Sequence, residues 1–288
     1  MENEGQSRLG GGRFTFRFLG TGTSVGVPQI GCDCHVCRSS DPRDRRRRCG
    51  AYVSDGETGF LIDTPPELRL ACVECGVTKV DAVVMTHAHM DHAAGFDDVR
   101  RFNTINGTRV ACDPDSPGAY GRTFRIVGRP MNCYAMEETV AQMHRIFPYI
   151  GVEGGRNGLF RPQISFVSDD AFEIGSVRVE RLAVEHGFPC CGYLIGGRLG
   201  YVSDCHELPD ETVGRLRGVD TMVLNCLRER EHPTHLSFSR AMGYIGRIAP
   251  RRAYLIHMCH DLSHREWLER LAGTNVEPAY DGLELSIP

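Results

Sequence analysis

The chain has 288 residues, 41% of them hydrophobic and 24% charged, a make-up that suits a globular protein with a sizeable core and excludes a disordered or fibrous one. A formal charge of −4 at pH 7 gives no overall electrostatic pull towards nucleic acid, which is therefore a disfavoured partner. No run approaches the roughly 20 apolar residues that span a bilayer, and residues 1–13 are polar and glycine-rich without the apolar segment of an export signal, so a flexible leader, a cytoplasmic location and no membrane partner are expected.

Residues 14–19 alternate apolar and polar side chains, as a half-buried strand does, and run into the turn Gly20-Thr21-Gly22-Thr23-Ser24. That turn either presents backbone N–H groups to a phosphate or serves chain reversal alone. Cys32, Cys34 and Cys37 follow, three of 13 cysteines in a chain too long to be a small secreted disulfide scaffold, so reduced thiols are expected. Three thiols crowding one turn suit a closed structural zinc, for which a fourth ligand is missing nearby. Arg43 and Arg45 to Arg48 read by composition as a solvated surface run.

Two strand-like runs at 51–54 and 59–62 flank Asp55-Gly56, a hairpin signal, and Asp63 ends the second. Pro65-Pro66 opens a helix to about residue 75. Residues 81–85 form a short buried strand; a helix at 97–104 and a strand at 109–112 come after it. Residues 113–165 show the least pattern and are expected to be an insertion or lid, with a helix at 138–147. Strands return at 171–174, 177–183, 193–195, 199–202, 221–224, 253–256 and 283–287, with helices at 211–216, 237–248 and 263–272. Hairpins followed by β-to-α alternation occur in both halves with no linker between them. The pattern predicts one domain over 14–288, two β-sheets packed face to face with helices outside.

The chemistry concentrates in Thr86-His87-Ala88-His89-Met90-Asp91-His92. Side chains alternate along an extended chain, so His87 and His89 point the same way and can bind one ion. A helical turn beginning near Met90 would swing Asp91 and His92 towards an adjacent site. Imidazole with carboxylate suits zinc, manganese or iron. A two-metal site needs more ligands, from strand ends facing the same cleft. His186, Asp204 and His257 qualify, each just beyond a predicted strand. Asp63, at the end of its own strand, is placed to orient the histidine loop by hydrogen bonds.

The His-X-His-X-Asp-His loop resembles the signature of the metallo-β-lactamase superfamily. Within it, the chain looks most like the PhnP-type phosphodiesterases, which hydrolyse phosphoribosyl cyclic phosphates. The segments that carry this likeness are Leu19 to Pro28, Gly31 to Cys37, Thr86 to Arg100, Val202-Ser203-Asp204, Pro233-Thr234-His235 and His257-Met258-Cys259-His260. The resemblance implies an α+β fold, the αββα sandwich of two mixed β-sheets with helices outside. It implies that His87, His89 and His186 hold one metal, that Asp91, His92 and His257 hold a second, and that Asp204 bridges both. It also implies a structural zinc on Cys32, Cys34, Cys37 and His260, in a loop at about 31–49, with His35 and His264 as alternative fourth ligands. The arginine run acquires a substrate-side or structural role.

The expected function is hydrolysis of small phosphodiesters, cyclic ones among them, by a hydroxide bridging two divalent metals, zinc or manganese. Asp91 and Asp204 fix metals and hydroxide. By the same resemblance His235 contacts the substrate phosphate and protonates the leaving group, with His206 and His232 as weaker candidates. The partner is a small-molecule phosphodiester; a homodimer is a possible assembly. Two rivals are a ribonuclease Z-like nuclease and a non-hydrolytic biosynthesis protein resembling pyrroloquinoline quinone biosynthesis protein B.

Overall fold

A computed structural model describes residues 12–116, 121–150 and 162–288. Two seven-stranded sheets carry the fold. The N-terminal sheet runs, edge to edge, through Glu284–Ile287, Phe14–Gly20, Gly50–Ser54, Gly59–Ile62, Ala82–Val84, Met131–Tyr134 and Ile164–Val167. The C-terminal sheet runs through Val276–Pro278, Arg252–Ile256, Thr221–Asn225, Leu199–Val202, Cys191–Ile195, Val177–Ala183 and Ala171–Ile174. In each, antiparallel pairs at one side give way to parallel pairs at the other. The two halves therefore share one plan.

Strand alternation builds three cores from these two sheets. Phe16, Phe60, Ile62, Tyr193, Tyr201 and Val223 fill the space between the sheets. The intervening residues Leu61 and Val83 face outward onto the helices Leu68–Glu74 and Glu137–Ile146 and the turn holding Phe96. On the other side Val202, Leu224 and Leu255 meet the helices Asp210–Leu216, Phe238–Ile248 and His264–Arg270. Central strands buried on both faces show why their sequences are nearly continuous apolar runs. The helix His264–Arg270 begins at a capping box, in which Ser263 and Glu266 satisfy each other's backbone N–H.

Several boundaries differ from the sequence expectation. The expected insertion at 113–165 is partly core: Met131–Tyr134 lies between Ala82–Val84 and Ile164–Val167 in the N-terminal sheet. Its four residues are too few to show a period, and its exposed Asn132 breaks the apolar run. Thr108–Ala111 pairs with Phe124–Val127 in a separate ribbon, with the first strand exposed throughout. The helix expected at 97–104 is a 3₁₀ turn, Phe96–Val99, followed by Arg100–Ile105. Of the expected leader, residues 1–11 lie outside the described residues. Among the described residues no helix is long and apolar enough to cross a membrane.

Arg46 departs from the reading of the arginine run as solvated surface, being 1% exposed, whereas Arg43 and Arg45 are exposed as that reading expects. Arg47 bonds the Leu19 carbonyl at 2.9 Å and pairs with Asp281 at 3.2 Å, and Arg48 bonds the Ser24 carbonyl at 2.8 Å. The run clamps the glycine-rich turn. At Gly20 a Cβ would lie 1.9 Å from the Arg48 carbonyl oxygen, and at Gly22 it would lie 2.6 Å from that of Arg46. Gly22 N–H donates to Arg47 O at 2.7 Å and Thr23 N–H to Met258 O at 3.3 Å. These glycines permit close backbone contact, and the two amides are spent on it instead of on a phosphate.

Candidate metal centre

The histidine loop leaves the strand Ala82–Val84 at the edge of the interface between the sheets. Met85 N–H donates to Tyr134 O at 2.9 Å, and Cys191 N–H of the other sheet donates to Thr86 O at 3.1 Å, so both sheets fix its start. His89 is extended (φ −61°, ψ 147°), and Met90–Ala93 forms a helical turn that carries Asp91 and His92 sideways. Asp63 holds the loop from the neighbouring strand end. Its carboxylate accepts from Thr86 N–H at 2.7 Å, from Thr86 Oγ1 at 2.8 Å and from His92 Nδ1 at 2.7 Å. Thr86 in turn lies 2.9 Å from His87 Nδ1, which orients that ring.

The C-terminal sheet brings three residues to the same place. His186 follows Val177–Ala183, Asp204 follows Leu199–Val202, and His257 follows Arg252–Ile256. His186 Nδ1 donates to Thr234 O at 2.9 Å, leaving Nε2 free for a ligand. Asp63 and His257 sit at φ 61° and 57°, a left-handed backbone that non-glycine residues adopt at some cost. Both are strand-end residues whose side chains must turn into the site.

Potential donor atoms fall into groups within 4.8 Å of one another: His87, His89 and His186; His87, His92 and Asp204; Asp91, His92 and His257; and His186, Asp204 and His235. Asp204 reaches across them, 3.1 Å from His92 Nε2, 3.3 Å from His257 Nε2 and 3.9 Å from His186 Nε2. His92 Nε2, Asp204 Oδ2 and His257 Nε2 are buried without a hydrogen-bond partner. Buried polar atoms rarely go unpaired, so lone pairs converging in this way fit divalent cations. The donor chemistry, imidazole and carboxylate, agrees with that fit.

The charge pattern points the same way. Burial and the neighbouring His92 push His87 well below its ordinary pKa, keeping its imidazole neutral. Burial opposes a charge on Asp204, but His257 and His92 outweigh it and hold the carboxyl well below its usual range. Burial also opposes a cationic His92, yet the flanking carboxylates Asp204 and Asp63 raise its pKa well above normal. Without a metal, His92 carries the positive charge that these carboxylates require.

His235 lies beside this cluster, with Nδ1 3.5 Å from Asp204 Oδ1 and its ring stacked 4.5 Å from His257. Burial and His257 lower its pKa to about 3, so it is a neutral N–H donor. His232 sits one ring further out, 5.1 Å from His235, and neither it nor His206 joins a donor group among the described residues. Sequence reasoning missed three residues. Thr86 and Thr234 orient the His87 and His186 rings, and the half-buried Phe188 stacks on His89 at 4.2 Å. Only the adjacency of Thr86 to the histidine loop and of Phe188 to His186 could have marked them.

Cys32, Cys34 and Cys37 meet His260. Their sulfurs lie 3.2, 3.4 and 3.3 Å from His260 Nδ1. A tetrahedron built on ordinary zinc–sulfur and zinc–nitrogen bonds has an edge of about 3.5 Å. The alternatives are engaged elsewhere: His35 pairs with Glu266 at 3.1 Å, and His264 packs against Tyr280. Four potential ligands thus gather between the N-terminal loop and the segment just past His257.

A fold of two mixed sheets with helices outside, and a His/Asp cluster at one edge, define a metallo-β-lactamase-type hydrolase scaffold. The β-lactamase superfamily domain family matches residues 58–258, and the chain belongs to that family. A crystal structure of a diphosphatase from the PhnP family is similar, with 34% identity and a TM-score of 0.80 over 96% of this chain and 97% of that one. Zinc-bound PqqB from Methylobacterium extorquens shares the fold at 18% identity, TM-score 0.70, over 95% of this chain and 100% of that one. An octanoyltransferase of Porphyromonas gingivalis is 32% identical over 93% of this chain, which spans about half (51%) of that relative's length.

Proposed function

We propose that the chain hydrolyses small phosphodiesters, cyclic ones among them, at a centre of two divalent cations, zinc or manganese. The observation that carries this reading is the convergence of seven His and Asp side chains, among which His92, Asp204 and His257 present buried donor atoms without a hydrogen-bond partner. His87, His89 and His186 would hold one cation and Asp91, His92 and His257 the other, and Asp204 would serve both. Bound there, two cations lower the pKa of a water and offset charge developing on the phosphoryl oxygens. Asp63, Thr86 and Thr234 keep the imidazoles in register for that task.

His235 supplies the proton side of the reaction. As a neutral N–H donor next to Asp204 it can hydrogen-bond a phosphoryl oxygen, and an anionic phosphate beside it raises its pKa towards that of a useful acid. Protonating the leaving alkoxide removes the worst feature of that leaving group. Cys32, Cys34, Cys37 and His260 would hold a structural zinc that ties the N-terminal loop to the C-terminal half.

The 34%-identical diphosphatase supports reaction at phosphorus over lactone or thioester chemistry. The chain spans only about half of the octanoyltransferase, so that relative lends no support to acyl transfer here. The complete donor set favours hydrolysis over a non-hydrolytic role like that of a biosynthesis protein, and a net charge of −4 favours small substrates over RNA. The test is turnover by zinc- or manganese-reconstituted protein of a panel: ribose cyclic phosphates, a linear aryl phosphodiester, a diphosphate-bridged dinucleotide, precursor transfer RNA, a lactone and a thioester. Metal-dependent cleavage of the small phosphodiesters is expected; cleavage of the lactone or thioester alone would overturn the proposal.

A further inference from the structure

The imidazoles of the centre are not all held alike. The second nitrogens of His87, His92 and His186 are fixed by Thr86, Asp63 and the Thr234 carbonyl. His257 has no such support: its Nδ1 is buried and without a hydrogen-bond partner. Apart from the His235 ring stacked on it at 4.5 Å, its ring is placed by its backbone, which is in the left-handed region at φ 57°. Something outside the ring must therefore hold residues 257–262 in shape.

Arg46 is positioned to do so. Its side chain is fully buried, with one terminal nitrogen bonded to the Cys259 carbonyl and the other to that of Leu262 at 2.8 Å. Asp44, which balances its charge at 3.7 Å, also accepts the His264 N–H at 2.5 Å. A guanidinium fork spans two carbonyls in a fixed plane, which a lysine ammonium cannot do. Met258 is held from the other side, its N–H donating to Thr21 O at 3.2 Å and its carbonyl accepting from Thr23 N–H at 3.3 Å. Beyond Cys259 comes His260, which faces the three thiols.

We propose that Arg46 is a positioning residue for His257: by fixing the carbonyls of Cys259 and Leu262, it holds residues 257–262 in the shape that aims the His257 ring into the active centre. The inference rests on the reading of His257 as a metal ligand. The loop leaves His257 in a strained conformation with no hydrogen bond of its own, and Arg46 converts the rigidity of the N-terminal loop into that ring's position.

Cobalt(II) titration tests this, because thiolate-to-cobalt charge transfer reports the cysteine cluster, and d–d absorption that grows without further charge transfer reports the His/Asp centre. Arg46→Met should weaken one of the two centre positions by about tenfold, the scale on which ligand-orienting partners act. The other position and the charge-transfer amplitude should stay as in the wild type. Arg46→Lys, which keeps the buried charge but cannot span both carbonyls, should fall between the two, and it carries the test if Arg46→Met does not fold. Wild-type affinities at both centre positions in Arg46→Lys overturn the inference, as does equal loss at the cysteine cluster, which would make Arg46 merely structural. Wild-type protein in which all d–d absorption rises in step with charge transfer, with none added afterwards, would instead sink the two-metal reading, and this inference with it.

Discussion

The two halves of the sandwich follow one plan but load the centre differently. The N-terminal half offers His87, His89, Asp91 and His92 from a single loop, shaped by Asp63 and Thr86 close at hand. The C-terminal half offers His186, Asp204 and His257 from three separate strand ends, and their alignment depends on sheet register. Leu224 pairs with Val202 on one side and Leu255 on the other, which sets how far Asp204 and His257 reach. One half gets its precision from local hydrogen bonds, the other from the whole fold.

If both halves serve the centre equally, removing a carboxylate from either should be equally severe. Asp91→Ala and Asp204→Ala are each expected to lower kcat/KM by roughly a thousandfold or more, the several kcal/mol that metal catalysis supplies. Near-normal turnover in either variant would show that its half is dispensable. Asp63→Asn probes the local support of the N-terminal loop. It should reduce metal affinity by about 10–100-fold while the sheets stay folded, as measured by metal titration alongside circular dichroism. Wild-type affinity would mean that the loop keeps its shape without Asp63.

The smallest effect concerns protons. The carboxylates Asp204 and Asp63 hold His92 protonated above its ordinary pKa in the metal-free protein, so a cation must displace that proton. Metal affinity should therefore rise with pH through neutrality, by about one decade per unit while His92 is the group that titrates. Calorimetry in buffers of different ionisation enthalpy would detect the released proton. A pH-independent affinity with no proton release would show that His92 is already neutral.

The same contrast explains what could be read in the sequence. The histidine loop is legible because its ligands are adjacent and the chain switches from extended to helical at Met90, within one short stretch. His186, Asp204 and His257 could be picked out only as ligand-type residues after strands. Their meeting is a tertiary fact that no local pattern contains. Met131–Tyr134 was missed because a four-residue strand shows no period, and it is the sheet that gives it neighbours on both sides. Arg46 was misread for a different reason: composition prices an arginine as surface, whereas two backbone carbonyls and Asp44 stabilise this one inside.

The division of donors between distant strand ends also bears on which ion the protein ends up holding. A chain emerging during synthesis presents His87, His89, Asp91 and His92 before Asp204 and His257 have been made. Such a loose four-donor segment follows the general affinity order of divalent metals, in which copper outranks zinc and zinc outranks manganese. Only the closed sandwich fixes the number and spacing of donors by bringing in Asp204 and His257. Selection among divalent ions would then be a property of the finished fold and not of the histidine loop by itself.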